Sequence, residues 1–168
     1  MSVTEAVETR TRTVIWEDPM IGAEAALSLS GLDYLRAIAD GDVPPPPVAT
    51  LLGMEIAHVD RGRAVFALEP GEHLYNPIGS VHGGMLTTLL DSALGCAVHS
   101  TLEAGVAYTT VDLSVTFLRP VTRETGRLIC EADVIHTGRK IATARAQIVD
   151  GDGRLYATAT TTCIILSR

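Results

Sequence analysis

The first strong hydrophobic period begins at Gly31, where Leu32, Leu35, Ile38 and Ala39 recur at helical spacing and Gly41 supplies a stop. Pro44 to Pro47 follow and predict a stiff, extended spacer. Two short alternating segments come next, Met54 to Val59 and Arg63 to Leu68, joined by the tight turn Asp60-Arg61-Gly62. A loop from Glu69 to Gly79 carries Pro70, Gly71, Asn76 and Pro77, and an apolar helix is expected over about Val81 to Leu102.

Beyond the helix the period changes to two. Thr109, Val111, Leu113, Val115 and Phe117 alternate with Tyr108, Thr110, Asp112, Ser114 and Thr116, which predicts a half-buried strand with Thr109 on the face toward the helix. Arg127 to His136 and Ile141 to Val149 read as strands around Thr137-Gly138-Arg139. Asp150-Gly151-Asp152-Gly153 then turns the chain into a last strand, Leu155 to Leu166. The order β-β-α-β-β-β-β, with turns too short for parallel crossovers, indicates an α+β domain: one long helix among antiparallel strands. That domain is expected over residues 31–168, with a lead-in helix at 31–41 and the proline spacer at 44–47. Residues 1–30 read as an N-terminal extension in which Thr11 to Glu17 suits a short strand and Ala23 to Leu29 has no clear capping signal.

The long helix contains one anomaly. Between Glu72 and Glu103, histidines apart, Asp91 is the only charged residue. Met85, Leu86, Leu89, Leu90, Ala93, Leu94, Ala97 and Val98 surround it, so the helix is apolar on most sides and buried. Ile78 to Val98 is long enough to span a bilayer, but a carboxylate at mid-membrane is costly, which favours a buried helix in a soluble protein. A buried carboxylate costs several kcal/mol unless paired; it is either satisfied by a polar partner or retained for chemistry. At the helix start, Gly83 and Gly84 present unpaired first-turn N–H groups that suit a developing oxyanion. The same glycines would also allow close packing of loop on helix. Gly83 and Asp91 are eight residues apart, about 12 Å along a helix axis. For both to act on one substrate, two copies of the helix must lie antiparallel, which requires a dimer.

Composition supports that reading. The 168-residue chain is 46% hydrophobic and 20% charged with mean hydropathy +0.25, an apolar surplus that suits burial between subunits. Aromatics make up 4%, so the core must come from aliphatic residues. A net charge of -7 with no basic run beyond Arg139-Lys140 argues against nucleic acid as a partner. Cys96, Cys130 and Cys163 share no metal-like spacing and read as buried thiols of a reducing compartment, here the cytoplasm; Met1 to Thr13 is too polar for a signal peptide.

The segment NPIGSVHGGMLTTLLDSALGCA, Asn76 to Ala97, resembles the HGG signature of hotdog thioesterases, in particular the phenylacetate-degradation (PaaI-type) branch. TTVDLSVTFLRPV from Thr109, GRKIATARAQIVDGDGRLYATATTT from Gly138 and the lead-in GDVPPPPVATLLGM are similar to that branch as well. The resemblance implies the hotdog fold, a sheet wrapped around one long helix, assembled as a homodimer or homotetramer with the active site at the dimer interface. It also implies an acyl-CoA thioesterase. Asp91 would be general base or nucleophile, Gly83 N–H the oxyanion donor, Asn76 a group orienting water or acyl, and Thr109 a hydroxyl beside the water. His82 beside the glycine pair would donate to the carbonyl or, the weightier role, orient the loop. Arg119, Arg139 and Lys140 would meet the phosphates of CoA, though ordinary surface charge accounts for them equally. No metal or cofactor is implied, CoA being part of the substrate; His73, His99 and His136 lack ligand spacing.

Two rival readings remain at this level. A hotdog dehydratase or hydratase needs a catalytic His in the loop before the helix with an Asp or Glu on the helix; this chain has Asn76-Pro77 at the loop position, so His73 or His82 would have to substitute. A non-catalytic acyl-CoA sensor of the transcription-regulator kind would need a DNA-binding module, and residues 1–50 show no helix-turn-helix or basic face; a simple acyl-CoA binder without DNA stays open, with Asp91 against it because binding a thioester requires no buried carboxylate.

Overall fold

The computed structural model describes residues 8–166; residues 1–7 of the N-terminal extension lie outside the described residues. Three helices lead in: α1 (Pro19–Ser28), α2 (Gly31–Asp40) and α3 (Pro47–Leu52). Then come β1 (Met54–Asp60), β2 (Arg63–Leu68), the long α4 (Gly83–His99), β3 (Ala107–Phe117), β4 (Leu128–Thr137), β5 (Ile141–Val149) and β6 (Leu155–Leu166). The order from β1 onward is the one expected.

All strand pairs are antiparallel, and the six-stranded sheet runs β1-β2-β4-β5-β6-β3, leaving β1 and β3 at the edges. The sheet curls around α4. Leu89, Leu90, Ala93, Leu94, Ala97 and Val98 on the helix are fully buried against Leu128, Cys130, Ala132, Ala144, Ile148 and Ala157 on the strands. Alanine on the strands lets a leucine-rich helix lie close, so a tight core forms almost without aromatics.

The lead-in differs from expectation. Thr11 to Glu17 forms no strand: residues 8–18 belong to neither helix nor sheet. Residues 19–28 are helical because Asp18 caps the start, its carboxylate accepting from Met20 N–H at 2.9 Å, and Pro19 opens the first turn with its φ already set. Pro47 likewise opens α3, so the proline run ends in a helix and is no bare spacer. The long helix is shorter than expected, with His82 as its N-cap and Ser100 as its C-cap. Where α2 meets α4, Gly31 N–H donates to the Leu102 carbonyl at 3.0 Å, and a Cβ at Gly31 would stand 1.7 Å from the His99 carbonyl oxygen. No helix among the described residues is long and apolar enough to cross a membrane.

Candidate active site

Asp91 sits midway along α4, half-buried, where Thr110 Oγ1 donates to its Oδ1 at 3.0 Å. The partner comes from a one-residue bulge in β3: Thr110 pairs with Cys163 and Asp112 with Thr162, leaving Val111 extra. A bulge moves every residue before it to the other face. Tyr108 and Thr110 therefore face the helix along with Leu113 and Val115, while Thr109 and Val111 are exposed on the opposite face. The expectation that Thr109 faces α4 is thus corrected to Thr110. Simple alternation carried no sign of the slip, since Val111 is as apolar as a true inward residue.

Asp91 borders a cavity of about 300 Å³. One wall is the lead-in, with Tyr34 and Ile38 from α2 and Pro46 and Val48 around the start of α3. Sequence reasoning missed this contribution; its only signal was the apolar stripe of α2. Cys96 lies one turn and a residue beyond Asp91 in the same cavity. Burial, and then the Asp91 charge, pushes its thiol up to about 12, so it stays protonated and unreactive near neutral pH.

The start of α4 forms a second locus. His82 Nδ1 accepts from Gly84 N–H at 2.9 Å, His82 N–H donates to the Leu74 carbonyl at 2.8 Å, and Met85 N–H donates to the His82 carbonyl at 2.9 Å. Gly83 N–H has no acceptor among the described residues. Its missing side chain matters, because a Cβ there would approach Phe117 Cζ to 3.1 Å. Asn76 organises the preceding loop: its Oδ1 accepts from Ile78 N–H at 3.0 Å and Ser80 N–H at 3.3 Å, and its Nδ2 donates to Ser80 Oγ at 3.1 Å. Asn76, Gly83, Phe117 and Arg119 line one cavity of about 360 Å³. Arg119 is tethered there by donating to the Leu155 carbonyl.

One chain therefore brings Asn76, Gly83 and Arg119 together, with His82 beside them, and Asp91 with Thr110 separately. Arg139 and Lys140 join neither group. They are exposed in the β4–β5 turn, where Ile165 N–H donates to the Lys140 carbonyl. That is the Tyr108 end of β3, opposite the Phe117 end that holds Arg119. Among the described residues no three His, Cys, Asp or Glu side chains cluster as metal ligands.

Residues 78–157 match the family model described as the thioesterase superfamily. A crystal structure of a thioesterase family protein from Silicibacter pomeroyi is 33% identical, covers 80% of this chain and 96% of its own, and superposes with a TM-score of 0.70. The chain belongs to the thioesterase superfamily. Its hotdog fold and PaaI-like character are shared by a phenylacetic acid degradation-related protein of Ralstonia eutropha JMP134, 35% identical, with coverage of 78% and 98% and a TM-score of 0.71. A 1,4-dihydroxy-2-naphthoyl-CoA hydrolase of Listeria monocytogenes is 26% identical over 104 residues, 62% of this chain and 83% of the relative.

This thioesterase is thus a thioester hydrolase. Such chemistry needs a group that attacks or activates water and donors that meet the oxyanion. The chain carries a carboxyl group that accepts from the Thr110 hydroxyl and, about two helical turns away, a backbone donor with no acceptor among the described residues.

Proposed function

We propose that this thioesterase hydrolyses an acyl-CoA in a site shared by two copies of the chain, with Asp91 from one and Gly83 N–H from the other. The observation that carries the reading is the separation of a helix-start donor, without an acceptor among the described residues, and a half-buried carboxyl group into two different cavities of one chain. Antiparallel pairing of two α4 helices joins the halves. The unpaired edge of β3, with Val111 and Phe117 about half exposed, is a surface on which two sheets can continue into one.

In the shared site, Gly83 N–H and the positive helix end stabilise charge on the thioester oxygen. Asp91, steadied by Thr110, either attacks the carbonyl carbon or takes a proton from the attacking water. The carbon–sulfur bond breaks and CoA leaves as thiolate and is protonated; where water attacked, the acid forms at once, and where Asp91 attacked, water then hydrolyses the mixed anhydride to release the acid and restore the carboxylate. Asn76 keeps the Gly83 loop in shape, and His82 acts through its cap on Gly84. Arg119 at the same cavity offers a cation to the phosphates of CoA; Arg139 and Lys140 can do so only from elsewhere on the assembly. The reaction needs no cofactor, and the acyl-CoA pool it draws on is cytoplasmic. The Listeria relative, named as a CoA hydrolase, supports the CoA thioester as substrate.

Asp91→Asn, nearly isosteric, is expected to abolish thiol release across a panel of acyl-CoA esters while the oligomer seen by size exclusion stays unchanged. Turnover comparable to the unmodified protein would exclude Asp91 from the chemistry.

A further inference from the structure

Apart from Glu24 and Ser28, every residue of α1 is apolar or glycine, yet only Gly22 is buried in the single chain. A helix this uniformly apolar is ordinarily covered on most sides. Met20, Ala23 and Leu27 recur at i, i+3 and i+7, so they share one face, and all three are exposed. Ala23 and Leu27 line a cavity of about 240 Å³ whose other wall includes Gly105, Val106 and Ala107, where the chain enters the edge strand β3. A Cβ at Gly105 would stand 3.5 Å from the Leu27 carbonyl oxygen, so α1 sits directly at that end of the edge.

Two contacts determine what would stand opposite α1 in a dimer. Asp91 accepts from Thr110, and Gly83 faces Phe117. Bringing Asp91 to the partner's Gly83 therefore brings Thr110 to the partner's Phe117. Antiparallel strands run in opposite directions from any such pair. Ala107, three residues before Thr110, then falls near the partner's Pro120, three residues after Phe117. That stretch is apolar and uncovered: Phe117 and Leu118 are exposed in the single chain, as is Ile78 in the 76–80 loop beside them. Charge agrees with the pairing. Residues 13–32 carry Glu17, Asp18 and Glu24 with no basic residue, and residues 113–123 carry Arg119 and Arg123 with no acidic one.

We propose that α1 docks on a second copy of this chain, where its Met20, Ala23 and Leu27 face covers residues 117–120 of the partner subunit and walls the cavity at the partner's Gly83. The assignment rests on the shared-site reading for the antiparallel pairing of the two copies. The chain that supplies Asp91 to a site then also supplies the helix that closes it, and the other chain supplies the Gly83 loop. This gives the N-terminal extension a place in the assembly that the single chain leaves unexplained.

The test cross-links two distinguishable copies. A tagged Leu27→Cys chain and an untagged Leu118→Cys chain are co-expressed and treated with a short bifunctional maleimide. Both positions are exposed in the single chain, so neither change disturbs the core. Burial raises the thiol pKa of Cys96, Cys130 and Cys163, which keeps the native cysteines protonated and slow to react. The expected product is a covalent species of the combined mass that carries the tag. Each variant treated alone should remain uncoupled, because the two copies of Leu27, or of Leu118, stand roughly 30 Å or more apart across the two-fold. Coupling of either variant with itself as efficiently as with the other overturns the proposal. So does the absence of the mixed product. If the protein still runs as a dimer and hydrolyses acyl-CoA, that absence strikes the α1 contact and leaves the shared site standing. Efficient mixed coupling in a dimer without turnover does the reverse, and a protein that runs as a monomer overturns both.

Discussion

At the scale of single residues, Thr110 shows how a hydroxyl becomes part of a site without any motif to announce it. Asp91 stood out in the sequence because an isolated carboxylate in an apolar helix demands a reason. Its partner did not, because the bulge at Val111 shifts the inward face of β3 by one and only the paired register reveals it. The two neighbouring threonines therefore make a controlled comparison. Thr110→Val removes the 3.0 Å bond that orients the carboxylate and is expected to lower kcat by about tenfold or more, the worth of one hydrogen bond to a charged group. Thr109→Val, on the exposed face, should change kcat by less than about twofold if the bulge sets the register. Equal effects in a steady-state assay would contradict the register described for β3.

At the scale of elements, the hydrophobic period made α2, α4, β4, β5 and β6 legible, in β4 despite a register shift between Val134 and His136. The other two lead-in helices were not, because α1 and α3 announce themselves by an Asp cap and a terminal proline, not by a hydrophobic stripe. The position of the lead-in has a measurable consequence at the junction of α2, α4 and β3, where His99 is packed between Tyr34 and Tyr108. Burial lowers the His99 pKa below the ordinary 6.5, and His73 is lowered too, by burial and then by the charge of Arg12. A histidine depressed in the folded state binds its proton more readily when unfolded, so stability falls as pH drops below about 6.5. Asp60, Glu124 and Asp150 are held below their usual values, and their losses come at lower pH. Urea midpoints between pH 7 and 5 should therefore decline, and His99→Gln should flatten the decline more than a surface His58→Gln. An undiminished slope in the His99 variant would show that the junction opens before the ring titrates.

At the scale of the whole molecule, the helix axis alone dictated that Asp91 and Gly83 could not serve one substrate within one chain, and the two separate cavities agree with it. Close packing was one reason the sequence offered for Gly83 to be glycine, and the neighbour that requires it, Phe117, became visible only in the packed structure. Gly83 is the first residue of α4, a position where proline is tolerated and where its missing N–H deletes the proposed oxyanion donor, while its ring requires Phe117, 3.1 Å from a Cβ there, to give by a few tenths of an ångström. His82, at φ -61° and ψ 132°, already has the extended backbone that a following proline requires. Gly83→Pro and Asp91→Asn are each expected to be inactive alone. Mixed by co-expression or by unfolding and refolding together, they form heterodimers in which one site has both intact groups and the other has neither. Random pairing makes half the dimers mixed with one working site each, so about a quarter of the unmodified activity should return. Tagging the two chains differently isolates the mixed species, which should run at about half the unmodified rate per dimer. A verified mixed dimer with no activity would mean that the donor and the carboxylate do not meet across the interface.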